Sequence, residues 1–143
     1  MIQFISENTL MPNIEKQKIK LWIKEVICLN NKKIGDITYI FVTDVRILEL
    51  NKYYLKHDYY TDIITFDYST RNQISGDIFI SLDTVKSNAD ELSIDYKNEL
   101  HRILIHGILH LCGQGDKTPE LRAIMTEKEN NALYLLQNYN IVV

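Results

Sequence analysis

The sequence predicts an α+β fold: a small mixed β-sheet of about four strands packed with about five helices. Three observations carry this. Four short runs are rich in β-branched and aromatic residues: IQFIS (2–6), ITYIFV (37–42), TDIITFDY (61–68) and GDIFISL (76–82). Segments between and after them repeat apolar residues at helical spacing. The order reads βα, βα, ββ, ααα, with no internal repeat and no linker-like stretch, so residues 1–143 are expected to form one domain.

IQFIS opens the chain as a strand. Pro12 stands near the start of the first helix, whose face is Ile19, Trp22, Ile23, Val26 and Ile27. Cys28 is expected in that helix's apolar face. The helix ends around NNKKIG, and ITYIFV is the second strand. Asp44 is placed to cap the helix VRILELNKYYL. TDIITFDY and GDIFISL are separated only by the polar STRNQ and a few flanking residues, which suggests a hairpin-like pair. Thr61-Asp62 and Gly76-Asp77 stand near their starts, where an acid serves a turn or faces a cleft.

Asp83 is a candidate cap for a helix with Val85, Ala89 and Leu92 on one face, and Asp95 for the long helix after it. Thr118-Pro119-Glu120 gives a cap, an N1 proline and an acid at the positive helix end. The last helix is expected to turn Leu121, Ile124, Met125, Ala132, Leu135 and Leu136 inward.

Composition narrows the class. The chain is 45% hydrophobic and 24% charged, ordinary for a globular protein. No apolar run approaches the ~20 residues of a membrane span. MIQFISENTL lacks the basic and long apolar regions of a signal peptide. With only two cysteines, a reducing cytoplasm is the expected compartment. A net charge of −3 counts mildly against a general nucleic-acid binder. The clusters KQKIK and KK read as solvated faces.

Chemistry concentrates in ILIHGILHLCGQGD, residues 103–116. The helix is apolar nearly all round and is expected to be buried, with its metal site at the C-terminal end. His106 and His110 lie four apart, about 40° around the axis and ~6 Å along it, so both imidazoles converge on one point. Gly113 suits a left-handed helix stop, and Gly115 adds freedom to the turn. The chain then returns Asp116 to the same side. Cys112, about 200° from His110, points away. Three ligands with an open fourth position describe a catalytic zinc site more than a structural one. Zinc is the first choice, one ion per chain, with non-haem iron or another divalent metal as alternatives. The spacing matches the HExxHxxGxxH pattern of metalloproteases, except that Gly107 replaces their general-base glutamate.

These residues resemble the YbeY family of bacterial endoribonucleases. HGILHLCGQGD resembles the family's HGxLHLxGYDH; ELNKYYLKHDYYTDIITFDY (49–68), SGDIFIS (75–81) and Met125 with Glu129 extend the likeness in order. The resemblance implies a metal-dependent endoribonuclease for single-stranded RNA. It also implies action on pre-16S rRNA and ribosomal particles, in 16S rRNA 3′-end maturation and ribosome quality control. Departures are specific. Asp116 replaces the third histidine, Gln114-Gly115 replaces Tyr-Asp, and Tyr60 replaces a proline. Leu55 replaces an arginine expected to face phosphate, leaving Lys56 as the nearest substitute for phosphate stabilisation, without the bidentate fork. His57 and His101 are expected at the surface. Tyr53, Tyr54, Tyr59 and Tyr60 are packing residues or base-stacking surfaces. Two other classes stay open: a ribosome-assembly binding module with a mainly structural metal, and a metallopeptidase, which Gly107 disfavours. Nothing in the sequence speaks to the oligomeric state.

Overall fold

Apolar alternation and helical periodicity are realised in a computed structural model that describes residues 1–55 and 61–141. The strands are β1 (Ile2–Ser6), β2 (Lys33–Val42), β3 (Ile63–Asp67) and β4 (Gln73–Ser81). The helices are α1 (Lys16–Leu29), α2 (Asp44–Tyr54), α3 (Leu82–Leu92), α4 (Tyr96–Leu111) and α5 (Pro119–Leu135), followed by a 3-10 turn, Leu136–Tyr139. The sheet order is β1-β2-β4-β3. β1, β2 and β4 run parallel, and β3 is an antiparallel edge strand on β4, the expected hairpin-like pair.

Strand alternation sends side chains to two faces. Ile37, Tyr39 and Phe41 of β2 and Ile74, Ile78 and Ile80 of β4 meet α1, α4 and α5 in the main core. Ile40, Val42 and Ile64 face the other way and take Ile47 and Leu50 of α2. α4 runs through the middle. Tyr39 Oη donates to Leu104 O at 2.7 Å, tying the helix to the sheet, and burial pushes this phenol's pKa well up. Across the same core, Trp22 Nε1 donates to Ala132 O at 2.7 Å and joins α1 to α5. Gly76 lets the end of α4 come close: a Cβ there would lie 2.6 Å from Phe66 O and 3.0 Å from Leu111 Cδ2.

Several expectations are corrected. Thr43, not Asp44, caps α2, its hydroxyl accepting from Arg46 N. Ser81, not Asp83, caps α3. Asp44 instead accepts from the hydroxyls of Ser81 and Thr84, while Asp83 accepts from Asp44 N. The two acids thus lock the starts of α2 and α3 together. Asp95 occupies the cap position of α4 without a side-chain cap bond. Pro12 lies upstream of α1, which starts at Lys16. Asp77 sits mid-strand in β4.

Cys28 is exposed, since it stands about 200° from Val26 on α1 and the buried stripe ends at Ile27. Leu92 is exposed because α3 ends there, with Ser93 left-handed at φ 56°. Ile124 is exposed and Leu121 and Leu135 are half-buried, while Leu133 is buried with Met125, Ala132 and Leu136. His101 is buried, not exposed: it faces α1, where the Trp22 ring meets it edge-on at 6.2 Å. Burial, with Lys97 nearby, lowers its pKa.

Candidate metal centre

α4 is buried along most of its length from Glu99 to Leu111, and in its last two turns only His106 and His110 are half-buried and reach a cleft. The cleft is lined by Asp62, Ile63, Ile64 and Thr65 around β3, Asn51 and Leu55 near the end of α2, and His106, His110, Asp116 and Lys117. α4 stops where expected. Gly113 takes φ +100°, Gly113 N donates to His110 O at 2.9 Å and Gln114 N to Leu109 O at 3.0 Å. Gly115 contributes less than its residue type suggested: among the described residues a Cβ there would meet only Leu121 Cδ1, at an ordinary 3.6 Å.

The turn brings Asp116 back to the histidines. Its Oδ2 lies 3.5 Å from His106 Nε2 and 3.3 Å from His110 Nε2. The ligand atoms of all three side chains fall within 4.8 Å of one another. Ordinary N–H···O bonds are shorter, about 2.7–3.2 Å. Atoms each ~2.0–2.1 Å from a tetrahedral ion stand about 3.4 Å apart, so the observed spacing fits an ion between them. The donor set of two imidazoles and a carboxylate suits zinc and harder divalent cations alike.

Electrostatics separates the two histidines. Burial acts to lower the pKa of both. At His106 the hydrogen bond and charge of Glu129, with the charges of Asp116 and Asp62, overcome it and raise the pKa. At His110 burial and the neighbouring His106 win, and the pKa falls. His110 is thus the readier neutral ligand. Asp62, just before β3, accepts from Asn88 Nδ2 at 3.2 Å, and burial raises its carboxyl pKa.

Of the other sequence candidates, Leu55 does line the cleft, but as an exposed apolar side chain. Lys56, His57, Tyr59 and Tyr60 lie outside the described residues. Tyr53 and Tyr54 are exposed, with rings 5.0 Å apart, and do not line the metal cleft; Tyr54 leans edge-on against Phe66. Asp77 accepts from Tyr68 Oη at 3.3 Å in a separate groove. Cys112 packs against the main core, where burial pushes its thiol pKa up to about 11. One lining residue was missed, and the role of Glu129, singled out only for its likeness to the family's last helix, was not foreseen. Lys117 lines the cleft next to Asp116, a position its sequence neighbour pointed to. Glu129, 6% exposed, accepts from or shares a proton with His106 Nδ1 at 2.5 Å, a pairing across 23 residues that no local spacing reveals.

Gly107 leaves the cleft without the glutamate of the protease pattern. A Cβ there would lie 3.1 Å from Ile63 Cδ1 and from two carbons of Ile78, so the position faces the sheet and a larger side chain would press on both.

A four-stranded mixed sheet under a helix that ends in a histidine–histidine–carboxylate cluster describes an α+β domain built around a candidate metal cleft. Residues 4–137 match the family model described as Endoribonuclease YbeY, so the chain belongs to that family. A relative named Endoribonuclease YbeY from Parabacteroides distasonis is 57% identical over 135 residues, covering 94% of this chain and 95% of its own. One of the same name from Phocaeicola vulgatus is 56% identical over 136 residues, covering 95% and 99%. The solution structure of a Thermotoga maritima protein superposes with a TM-score of 0.69 at 26% identity, covering 96% of this chain and 90% of that one.

Proposed function

We propose that the protein is a single-domain, metal-dependent endoribonuclease of the cytoplasm that cleaves single-stranded RNA, acting on pre-16S rRNA and ribosomal particles. The observation that carries the reading is the convergence of His106 Nε2, His110 Nε2 and Asp116 Oδ2 at an open cleft, in a chain of this family. These three side chains hold one ion, zinc in the first instance. A bound zinc supplies Lewis acidity toward a phosphate oxygen and toward water.

The chain's own residues do the rest. His110, readily neutral, offers a lone pair at physiological pH. Lys117 brings a positive charge to the cleft beside the carboxylate and serves the phosphate as a point charge; Lys56 is the second candidate for this role. Asp116 adds negative charge where the resembled family pattern has histidine, which weakens the ion as a Lewis acid and favours harder cations.

The test is cleavage of a labelled 16S precursor by the metal-loaded protein. His110→Ala should abolish cleavage and metal retention together, and a chelator should do the same to the unaltered protein. Undiminished cleavage by metal-free His110→Ala protein would refute the assignment. One observation favours a second reading, a ribosome-assembly binding module with a mainly structural metal: Leu55 puts an apolar side chain in the cleft where the family pattern expects arginine. Protein that holds metal and binds pre-ribosomal particles but never cuts RNA would select it.

A further inference from the structure

We propose that Glu129, held by Arg102, is a positioning residue that fixes His106 in the tautomer needed for metal binding. The inference rests on the metal-site reading above but adds residues that the reading does not use. His106 has two ring nitrogens with different surroundings. Nε2 faces Asp116 and the cleft, 3.5 Å from Oδ2. Nδ1 faces Glu129 Oε2 at 2.5 Å, inside the protein. A carboxylate can only accept, so it holds the imidazole proton on Nδ1 and leaves the Nε2 lone pair directed at the cleft.

Glu129 is itself fixed. Its carboxyl is almost wholly buried on α5, and its other oxygen accepts from Arg102 Nη1 at 2.8 Å. Arg102 Nη2 donates to Asn130 Oδ1 at 2.8 Å, so the guanidinium spans two consecutive residues of α5. Arg102 and His106 are one turn apart on α4. Glu129 therefore bridges successive turns of that helix, and the seating of α5 becomes part of the ion site.

Glu129→Gln is the informative change. A glutamine has one acceptor oxygen where two donors now converge. If that oxygen serves Arg102, the amide N–H faces His106 Nδ1, which must then give up its proton to Nε2, the ligand atom. Removing such outer partners typically weakens metal affinity 10–100-fold. The tautomer is read directly from ¹⁵N shifts of the imidazole ring in metal-free protein, well above the pH of its titration. The metal dissociation constant is read by competition with a chromophoric chelator, using zinc alone.

The expected results are Nδ1–H at His106 in the unaltered protein, loss of that preference in Glu129→Gln, and a 10–100-fold weaker zinc complex. Arg102→Met, which keeps the aliphatic stem, should give a smaller loss in the same direction; it stands in should Glu129→Gln fail to fold. An Nε2–H tautomer in the unaltered protein would overturn the proposal. So would unchanged zinc affinity in both variants. If the unaltered protein binds no zinc, the metal reading fails, and the metal-free tautomer still decides what Glu129 does to His106.

Discussion

Gly107→Glu would restore the acid that the protease pattern requires, and the structure sets its cost. The Cβ would sit 3.1 Å from Ile63 Cδ1 and from two carbons of Ile78, which are packed between α4 and the sheet. Overpacking of this kind costs about 1–3 kcal/mol. The carboxyl would then enter an apolar layer without a partner and would have to be neutral there. Keeping a group of pKa ~4.3 protonated at pH 7 costs 2.7 × 1.36, about 3.7 kcal/mol. Replacing glycine within a helix returns somewhat under 1 kcal/mol. The net loss is about 4–6 kcal/mol, a large part of the ~5–15 kcal/mol that holds a typical domain folded. In urea, with a slope of about 2 kcal/mol per M, the midpoint should fall by about 2 M or more. Gly107→Ala separates the two contributions, because it carries the packing cost without the buried acid and should lose no more than about 2 kcal/mol. A Gly107→Glu protein with an unchanged midpoint would refute the packing of α4 on β3 and β4. Casein hydrolysis by the unaltered protein, lost with a chelator, would revive the peptidase reading.

Gly113→Ala should destabilise by about 1–2 kcal/mol, because φ is +100° there although nothing among the described residues crowds the missing Cβ; urea midpoints check this, and an unchanged value would contradict the turn. In the native protein a disulfide reagent should label exposed Cys28 quickly and half-buried Cys112 much more slowly, since burial pushes the Cys112 thiol up to about 11; equal labelling rates would be inconsistent with the fold. His101 is held neutral, its folded pKa below the unfolded ~6.5. Its contribution is therefore intact above about pH 6.5 and lost as pH falls below that value toward the folded pKa. The stability difference between the protein and His101→Gln should narrow from pH 7 to pH 5, and a constant difference would refute the assigned environment. Tyr39→Phe removes the bond to Leu104 O and should cost about 1 kcal/mol by denaturation, with metal affinity unmoved.

Elements with strong local signals were legible in the sequence. The stripe on α1 from Ile19 to Ile27, the Thr118-Pro119 start of α5 and the β3–β4 pair follow from periodicity, capping and turn chemistry alone. So does the cluster at the end of α4, because i, i+4 spacing and a glycine stop fix its geometry within one helix and one turn. What failed depended on tertiary neighbours. Asp44 and Asp83 look like caps, but each start has a hydroxyl one or more residues earlier, and the acids serve each other's helix across 39 residues. His101 reads as a surface residue until α1 brings Trp22 against it. The pairing of Glu129 with His106 is unreadable beforehand for the same reason: only the packing of α5 on α4 sets its carboxyl against the ring.

A zinc titration of the purified, metal-free protein bears most directly on the account. One ion per chain is expected, with binding lost in both His110→Ala and Asp116→Ala while their far-ultraviolet circular dichroism stays native. Saturable binding that survives both substitutions would contradict the site built at the end of α4.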